Sequence, residues 1–482
     1  MRGSSADPKQ PAPAGAFMRL GILIMAAGKG TRLKSKRAKV LHEIGGKPLL
    51  GHVIAAAAQV VPPADIVTIV GHQAEGVQAA LRDTGVRFVV QAEQRGTGHA
   101  VQVAEQAARD YDELIVLSGD VPLLRPETIL ALRDFHLREQ AAMTILTAAP
   151  DHPFGYGRVV RRKADEPGVA AIVEQKALTP EQETIGEINS GIYAFRRSTL
   201  YAHIGQLQAE NAHKELYLTD MARILVDAGE RVVAVRAAEA SEVLGANTIA
   251  EMMDLDRELR LATARRLMAN GVTIFRPETV TIDATVEVGA DTVIEPYVQL
   301  LGETTVGSDC RIRSYSVIES ARIGERVLVR PSCFIAESEI GKGAQIGPFA
   351  HVRPGCVIGE GAHVGNFVET KKVHMGAGSK ANHLSYLGDA EIGSGTNIGA
   401  GTITCNYDGV DKHKTLIGEG VFVGSDSTLV APLIIGEGAY IAAGSCITDN
   451  VPADALALGR ARQITKPDWA KNRRALRAAR KG

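Results

Sequence analysis

Residues 288–318 read VGADTVIEPYVQLLGETTVGSDCRIRSYSVI, and in them Val288, Ile294, Leu300, Val306, Ile312 and Ile318 recur six positions apart. After a one-residue slip the series resumes at Ile323 and Val329. It continues through Ile340, Ile346, Val352, Ile358 and Val364, then Ile392 and Ile398, and last Ile417, Val423, Leu429, Ile435, Ile441 and Ile447. Glycine repeatedly follows the aliphatic residue, as at Val306-Gly307, Ile346-Gly347 and Ile435-Gly436. One inward aliphatic every six residues, with a small residue at the turn, is the pattern of a parallel β-helix whose coils have three short faces. The repeat loses phase between Gly365 and Ile392 and again between Gly401 and Ile417, and chemistry is expected where insertions interrupt a regular coil.

Upstream the period changes. From Ala250 to Asn270, Met253, Leu255, Leu259, Leu261 and Leu267 lie among arginines and glutamates, which predicts one long amphipathic helix. Between Met18 and about Arg236, β-branched runs (20–25, 66–70, 88–90, 114–117 and 143–147) alternate with helical stretches (49–60, 76–82, 98–109 and 126–140). That alternation predicts a parallel α/β sheet with its ligand crevice at the carboxyl ends of the strands. The division expected is a flexible tail over 1–17, an α/β domain over 18–249, a linker helix over 250–271, and a β-helix over 272–482 ending in a basic tail.

Composition narrows the function. Lysine plus arginine total 54 against 55 acidic residues, so no global field points to nucleic acid or an anionic membrane, and anionic ligands must be held locally. No stretch approaches the apolar length of a membrane span, and the mixed residues 1–17 do not form a signal peptide, which predicts a cytoplasmic protein. The five cysteines are widely spaced without a CxxC pair, which argues against a disulfide framework or a zinc site.

Two groups of residues carry chemistry. After the first strand, Met25-Ala26-Ala27-Gly28-Lys29-Gly30-Thr31-Arg32 has small residues that let backbone N–H groups approach a polyphosphate, with Lys29 and Arg32 adding charge. Lys39 follows on the next stretch. Asp120, in Ser118-Gly119-Asp120, is placed at the ligand edge, where it could hold Mg²⁺ through hard oxygens, and Asn247 could complete the coordination. Singly, each of these has an ordinary reading as a turn former, cap or solvated lysine. In the β-helix, Lys380-Ala381-Asn382-His383-Leu384-Ser385-Tyr386 lies in the first phase break, and a histidine that titrates near neutrality can take the proton from an attacking amine.

With 91–100 (QAEQRGTGHA), 155–158 (GYGR), Val173-Glu174 and 187–191 (EINSG), the first half resembles the sugar-nucleotide pyrophosphorylases. Joined to the hexapeptide half, the chain from Met18 to about Trp469 resembles the bacterial bifunctional family of N-acetylglucosamine-1-phosphate uridylyltransferase and glucosamine-1-phosphate acetyltransferase. The resemblance implies a Rossmann-like nucleotidyltransferase domain with a mostly parallel sheet followed by a left-handed β-helix, assembled as a homotrimer. Its substrates would be glucosamine-1-phosphate, acetyl-CoA, UTP and N-acetylglucosamine-1-phosphate.

For uridylyl transfer it implies that Met25, Ala26, Ala27, Gly28 and Lys39 bind UTP. Gln91, Gln94, Gly96 and Thr97 would read uracil, and amide side chains suit its imide edge because they both donate and accept. Gly157, Glu174, Asn189 and Asn247 would hold the sugar phosphate, Asp120 and Asn247 one or two Mg²⁺, and Arg32 and Lys39 the charge of the reacting phosphates. The family usually has proline where this chain has Ala38. For acetyl transfer it implies His383 as general base with Glu369 orienting it. Arg353, Lys371, Tyr386 and Asn397 would hold the sugar phosphate, and Ala400, Asn406, Tyr407, Ser425, Ala443 and Arg460 acetyl-CoA. Two other readings compete: a β-helix that only trimerises or regulates, and a nucleotide-binding scaffold without catalysis. The basic tail from Lys466 to Lys481 is expected to be a solvated helix.

Overall fold

The computed structural model describes residues 18–163, 166–211 and 214–480; the tail over 1–17 and the end of the basic segment lie outside the described residues. The chain divides into two compact units, Met1–Leu259 and Arg260–Gly482, and the cut falls inside a helix observed at Ile249–Ala269.

In the first unit the apolar runs form β1 (Leu20–Ala26), β2 (Ile66–Val70), β3 (Arg87–Val90), β4 (Glu113–Ser118) and β5 (Met143–Ala148). A hairpin of β6 (Arg158–Arg161) and β7 (Val169–Val173) precedes β8 (Ile188–Arg196) and β9 (Val232–Arg236). The strand order is β9-β5-β8-β4-β1-β2-β3. β1 pairs in parallel with β2 on one side and β4 on the other, so the chain reverses its direction of winding at β1 and leaves a crevice at that edge. β1 alternates its burial, Ile22 and Ile24 packing on one face of the sheet and Leu23 on the other. Helices α1 (Leu49–Ala57) and α4 (Pro126–Arg138) bury Leu50, Val53, Ile129 and Leu132 on the Ile22 side, while α3 (Thr97–Val103) buries Ala100 and Val101 on the other.

The sheet is mixed rather than parallel throughout. β8 runs antiparallel to both β4 and β5, because it arrives from the β6–β7 hairpin instead of a crossover helix.

In the second unit, short parallel strands form three sheets of 11, 10 and 9 strands, successive strands passing from one sheet to the next, as in a hexapeptide β-helix. Ile294, Ile312, Val329, Ile346 and Val364 stack in register in one sheet, each buried. Burying one such side chain contributes about 1.5–3 kcal/mol, so the aliphatic column is the main support of the coil. Coils approach so closely that a Cβ on Gly393 would lie 2.5 Å from the Glu419 nitrogen of the next coil.

The first phase break contains no insertion. Val364 pairs with Ala381, Thr370 with Leu387 and Met375 with Ile392, so the coils run on, each shortened by one residue. The period is hidden because Thr370, Met375 and Ala381 fill core positions taken elsewhere by β-branched aliphatics; Thr370 and Ala381 are fully buried. The second break is a true insertion, since Asn397 pairs with Phe422 across a coil lengthened by the segment 406–414. After the last strand, Trp469–Ala479 forms a helix exposed along its length.

Gly393→Ala is expected to destabilise the β-helix by about 1–3 kcal/mol, because backbone of the next coil must move to admit the methyl. Gly76→Ala, inside the helix Ala74–Leu81 with nothing within 4 Å of the added Cβ, should instead be neutral or stabilising by up to about 1 kcal/mol. Calorimetric unfolding should show a lowered melting temperature for Gly393→Ala and an unchanged or raised one for Gly76→Ala.

Candidate active sites

The crevice beside β1 is a cleft of about 480 Å³ lined by residues 25–31, Lys39, Gln91, Gln94, Gly96, Thr97 and Asp120, among others. Register explains the convergence: Met25 pairs with Ser118, so residues 26–31 and Gly119-Asp120 leave the sheet side by side, tied by the Gly119 N–H donating to the Met25 carbonyl at 2.9 Å. A Cβ on Gly28 would meet nothing within 4 Å, so its backbone faces open space. Gly30 has φ +60 and a Cβ there would meet the Lys39 Cβ at 2.7 Å, which makes glycine the condition for Lys39 to enter the cleft.

Lys39 Nζ is bound to the Asp120 carboxylate and donates to Asn247 Oδ1 at 3.2 Å. Arg32 Nη2 donates to the same Asn247 oxygen at 2.8 Å, and the Asn247 N–H donates to Glu251 at 2.7 Å. Thus one ammonium joins Asp120 and Asn247, and Arg32 closes the group. Ala38, in place of proline, has φ −55, a value proline would share, and its N–H donates to Gln73 Oε1 at 2.9 Å. Gln73 also donates to the Lys36 carbonyl at 2.7 Å, so a side chain ties down the loop before Lys39.

Gln94 donates to the Gln91 carbonyl at 2.9 Å, and Thr97 Oγ1 accepts from the Leu218 N–H at 2.9 Å. Gly157, Glu174 and Asn189 form a neighbouring cluster. The Asn189 N–H donates to the Gly157 carbonyl at 2.9 Å, its side chain donates to Tyr193 Oη at 2.9 Å, and Thr219 donates to Glu174 at 3.1 Å. Burial pushes the Glu174 carboxyl above its ordinary range, against the Thr219 hydrogen bond. Burial, with the Glu251 and Asp120 charges nearby, likewise raises the Tyr156 phenol.

In the β-helix the stacked coils set the second site. Asn366 pairs with His383, and the His383 Nδ1 lies 2.7 Å from Asn366 Oδ1. An amide oxygen only accepts, so the Nδ1 carries the proton and the Nε2 presents a lone pair. Glu369, expected to orient His383, instead pairs with Arg353 at 2.8 Å: it lies in the next sheet, in register with His351 of the strand that Arg353 follows. Asn366 escapes a linear reading because it belongs to the preceding coil, and its one signal in the sequence is a spacing of one coil from His383.

Lys371 pairs in register with Gly388, and Glu369 with Tyr386, so Lys371 and Tyr386 share one sheet, and Arg353 directly follows a strand of that sheet. A Cβ on Gly388 would lie 2.5 Å from Tyr386 Oη and 2.8 Å from Asn406 Nδ2, so glycine leaves room for both side chains. Asn406 also binds Asp389. The insertion is braced by Asp408, which accepts from the Val410 and Asp411 N–H groups at 2.8 and 2.7 Å and from His413 at 2.8 Å; these bonds hold its carboxyl well below the usual range. So held, the loop brings Lys412 against Lys371, whose charge lowers the Lys412 ammonium below its ordinary value. Lys412 is a second cation that no sequence motif singles out.

Asn397, Ala400, Ser425 and Ala443 follow one another up the coils. Ile398, Val423 and Ile441 are in register, and the Asp426 N–H donates to the Ala400 carbonyl at 2.7 Å. Tyr407 is exposed on the insertion. Arg460 is exposed after Gly459, whose carbonyl accepts from the Cys446 N–H at 3.0 Å; that strand is five places along its sheet from the strand before Arg353. Among the described residues no helix is long and apolar enough to cross a membrane.

Residues 22–216 match the MobA-like NTP transferase domain, 276–372 the GMPPB C-terminal domain, and 414–449 the bacterial transferase hexapeptide of six repeats. The Bifunctional protein GlmU of Koribacter versatilis is 58% identical over 95% of this chain and 98% of its own length. Those of Solibacter usitatus and Streptococcus agalactiae serotype V are 51% and 44% identical, over 95% and 93% of this chain and 98% and 97% of their own lengths. A nucleotidyltransferase sheet with a cationic cleft, a β-helix with an ordered histidine, and this identity over nearly the full length lead to one conclusion: the chain belongs to the GlmU family, the bifunctional uridylyltransferases and acetyltransferases that make UDP-N-acetylglucosamine.

Proposed function

We propose that the cleft beside β1 carries out uridylyl transfer and that the His383 corner of the β-helix carries out acetyl transfer. The first assignment rests on Lys39 joining Asp120 and Asn247 at the mouth of the glycine-rich loop. An oxygen of N-acetylglucosamine-1-phosphate attacks the α-phosphorus of UTP and pyrophosphate leaves, so no protein nucleophile is required. Backbone N–H groups of Ala26 to Gly30 hold the triphosphate, Arg32 and Lys39 offset its charge, and Gly157, Glu174 and Asn189 hold the sugar. Asp120 and Asn247 suit Mg²⁺: both offer hard oxygens, close enough to share one ammonium, and they would hold the ion. When bound, the ion adds charge neutralisation at the phosphates. Asp120→Ala should lower uridylyl transfer at least about a hundredfold and leave acetyl transfer unchanged, measured as pyrophosphate release and thiol release on the same protein. Equal loss of both activities in a folded variant would contradict two separate sites.

The second assignment rests on the Asn366–His383 bond. His383 Nε2 takes the proton from the amine of glucosamine-1-phosphate as the nitrogen attacks the thioester carbonyl, and CoA leaves as its thiol after that proton is passed on. Arg353, Lys371 and Lys412 supply cations for the sugar phosphate. Tyr386 and Asn397 orient the sugar, and Ala400, Asn406, Tyr407, Ser425, Ala443 and Arg460 hold acetyl-CoA. The reactions are those of a cytoplasmic enzyme. His383→Ala should slow acetyl transfer by about 10² to 10⁴ fold, as for a lost general base, while uridylyl transfer continues. Acetylation at the wild-type rate across neutral pH would remove His383 from that role.

The β-helix mediates a homotrimer whose acetyl site is shared between subunits. Arg353 and Arg460 belong to coils five strands apart, about 24 Å at 4.8 Å per coil, and a neighbouring chain offers a shorter route from His383 to the CoA-binding arginine. His383→Ala and Arg460→Ala proteins, unfolded and refolded together, should form mixed trimers in which about a quarter of the interfaces carry both intact residues, restoring acetylation above either parent. Demonstrated mixing without recovery would place both residues in a single-chain site.

A further inference from the structure

Lys34 to Arg37 are exposed, yet the chain they carry turns inward at once: Ala38 is 1% exposed and Lys39 lines the cleft beside β1. Ala38 opens the turn Lys39–Leu41, its carbonyl accepting from the Leu41 N–H at 3.0 Å. The Ala38 N–H donates to Gln73 Oε1 at 2.9 Å, and Gln73 Nε2 donates to the Lys36 carbonyl at 2.7 Å. Both partners are main-chain groups of fixed polarity, one that only donates and one that only accepts. The Gln73 amide therefore has a single orientation, and turning it over would forfeit both bonds. Among the described residues, no other group from outside the loop hydrogen-bonds the backbone of 35–38.

Gln73 is itself anchored to the sheet. Val70, the last residue of β2, is in register with Ala26, and the turn that follows runs beside the glycine-rich loop, the His72 N–H donating to the Ala27 carbonyl at 3.3 Å. Gln73 caps the helix Ala74–Leu81 at φ +54 and makes no capping bond with its side chain, which turns to the loop instead. The geometry points to Gln73 as a positioning residue for uridylyl transfer: the turn that bonds Ala27 through its main chain bonds residues 36 and 38 through this side chain, and so sets Lys39 at a fixed distance from the loop that meets the triphosphate. The inference rests on the reading that Lys39 serves the reacting phosphates, and adds what holds it there. Proline at 38 would meet the same constraint by another route. Its ring fixes φ near the observed −55, but its Cδ would stand where the Ala38 N–H now points and would collide with Gln73 Oε1. The ring and the Gln73 bond are therefore alternatives that exclude each other.

The test is steady-state kinetics of the full-length enzyme with UTP, N-acetylglucosamine-1-phosphate and Mg²⁺. Gln73→Ala leaves the buried Ala38 N–H without its acceptor and should lower kcat/KM for UTP by about tenfold, with KM for the sugar phosphate and acetyl transfer unchanged. Adding Ala38→Pro to Gln73→Ala should restore most of the loss, because the collision is gone and the ring takes over the constraint. Ala38→Pro in the otherwise wild-type chain should bring no gain, since there the ring displaces the bond it would replace. A second cycle reads the route of the effect: in a Lys39→Ala protein, Gln73→Ala should change the residual rate by less than about twofold, because contributions that pass through one residue are not additive. Undiminished activity in Gln73→Ala, no recovery in the double variant, an equal gain from Ala38→Pro in both backgrounds, or a full tenfold loss in the absence of Lys39 each overturns the role of Gln73. Lys39→Ala alone separates the two ideas: if it leaves uridylyl transfer unchanged, the reading of Lys39 fails, whereas an impaired Lys39→Ala beside a fully active Gln73→Ala defeats the positioning role alone.

Discussion

Parallel strand pairing in fixed register is the constraint on which both sites depend. In the first unit, Met25 opposite Ser118 makes two loops leave the sheet at one level, so backbone donors and the Asp120 carboxylate face the same space. In the second, each coil repeats the elevation of the one below, so Asn366 lies beneath His383, and Glu369 beneath Tyr386. Parallel strands also need connections that return the chain to the starting edge, and those connections hold most of the polar chemistry. In the α/β unit they are helices and long loops; in the β-helix they are two further short faces.

Close backbone approach follows from that pairing and explains the glycines that matter. Gly393 is glycine because the next coil's backbone occupies the place of a side chain. Gly30 and Gly388 serve the sites directly, one leaving room for Lys39 and the other for Tyr386 and Asn406. Small residues thus perform one physical task, removing a Cβ, in the scaffold and in the chemistry.

The two sites hold their cations differently within a chain of net charge −1. In the cleft beside β1 Lys39 is bound by Asp120, and Arg32 donates to Asn247, so the cations are held in place by side-chain oxygens. In the β-helix, Lys371 beside Lys412 holds the Lys412 ammonium below its ordinary value. The first site is ordered by opposite charge, the second by a braced loop that holds like charges together.

The period of six and the helix–strand alternation are properties of consecutive residues, and they determined both folds: the aliphatic columns, the order of β1 to β5, and the level of Gly28 and Asp120 were legible in the sequence. The residue types of His383, Lys39, Asp120 and Gln91 were legible as chemistry for the same reason, since each sits in a short contiguous motif. What only the tertiary structure decided were pairings between residues far apart in the chain. The antiparallel β8 follows from a hairpin, not from its own pattern. The coils through Thr370 and Ala381 continue because their neighbours fill the core around smaller side chains. Asn366 on His383, Glu369 on Arg353, Lys412 on Lys371 and Gln73 on Ala38 are set by register, by a loop's internal hydrogen bonds or by the turn before a helix, none of which a linear spacing specifies without the coil length and side-chain direction that folding supplies.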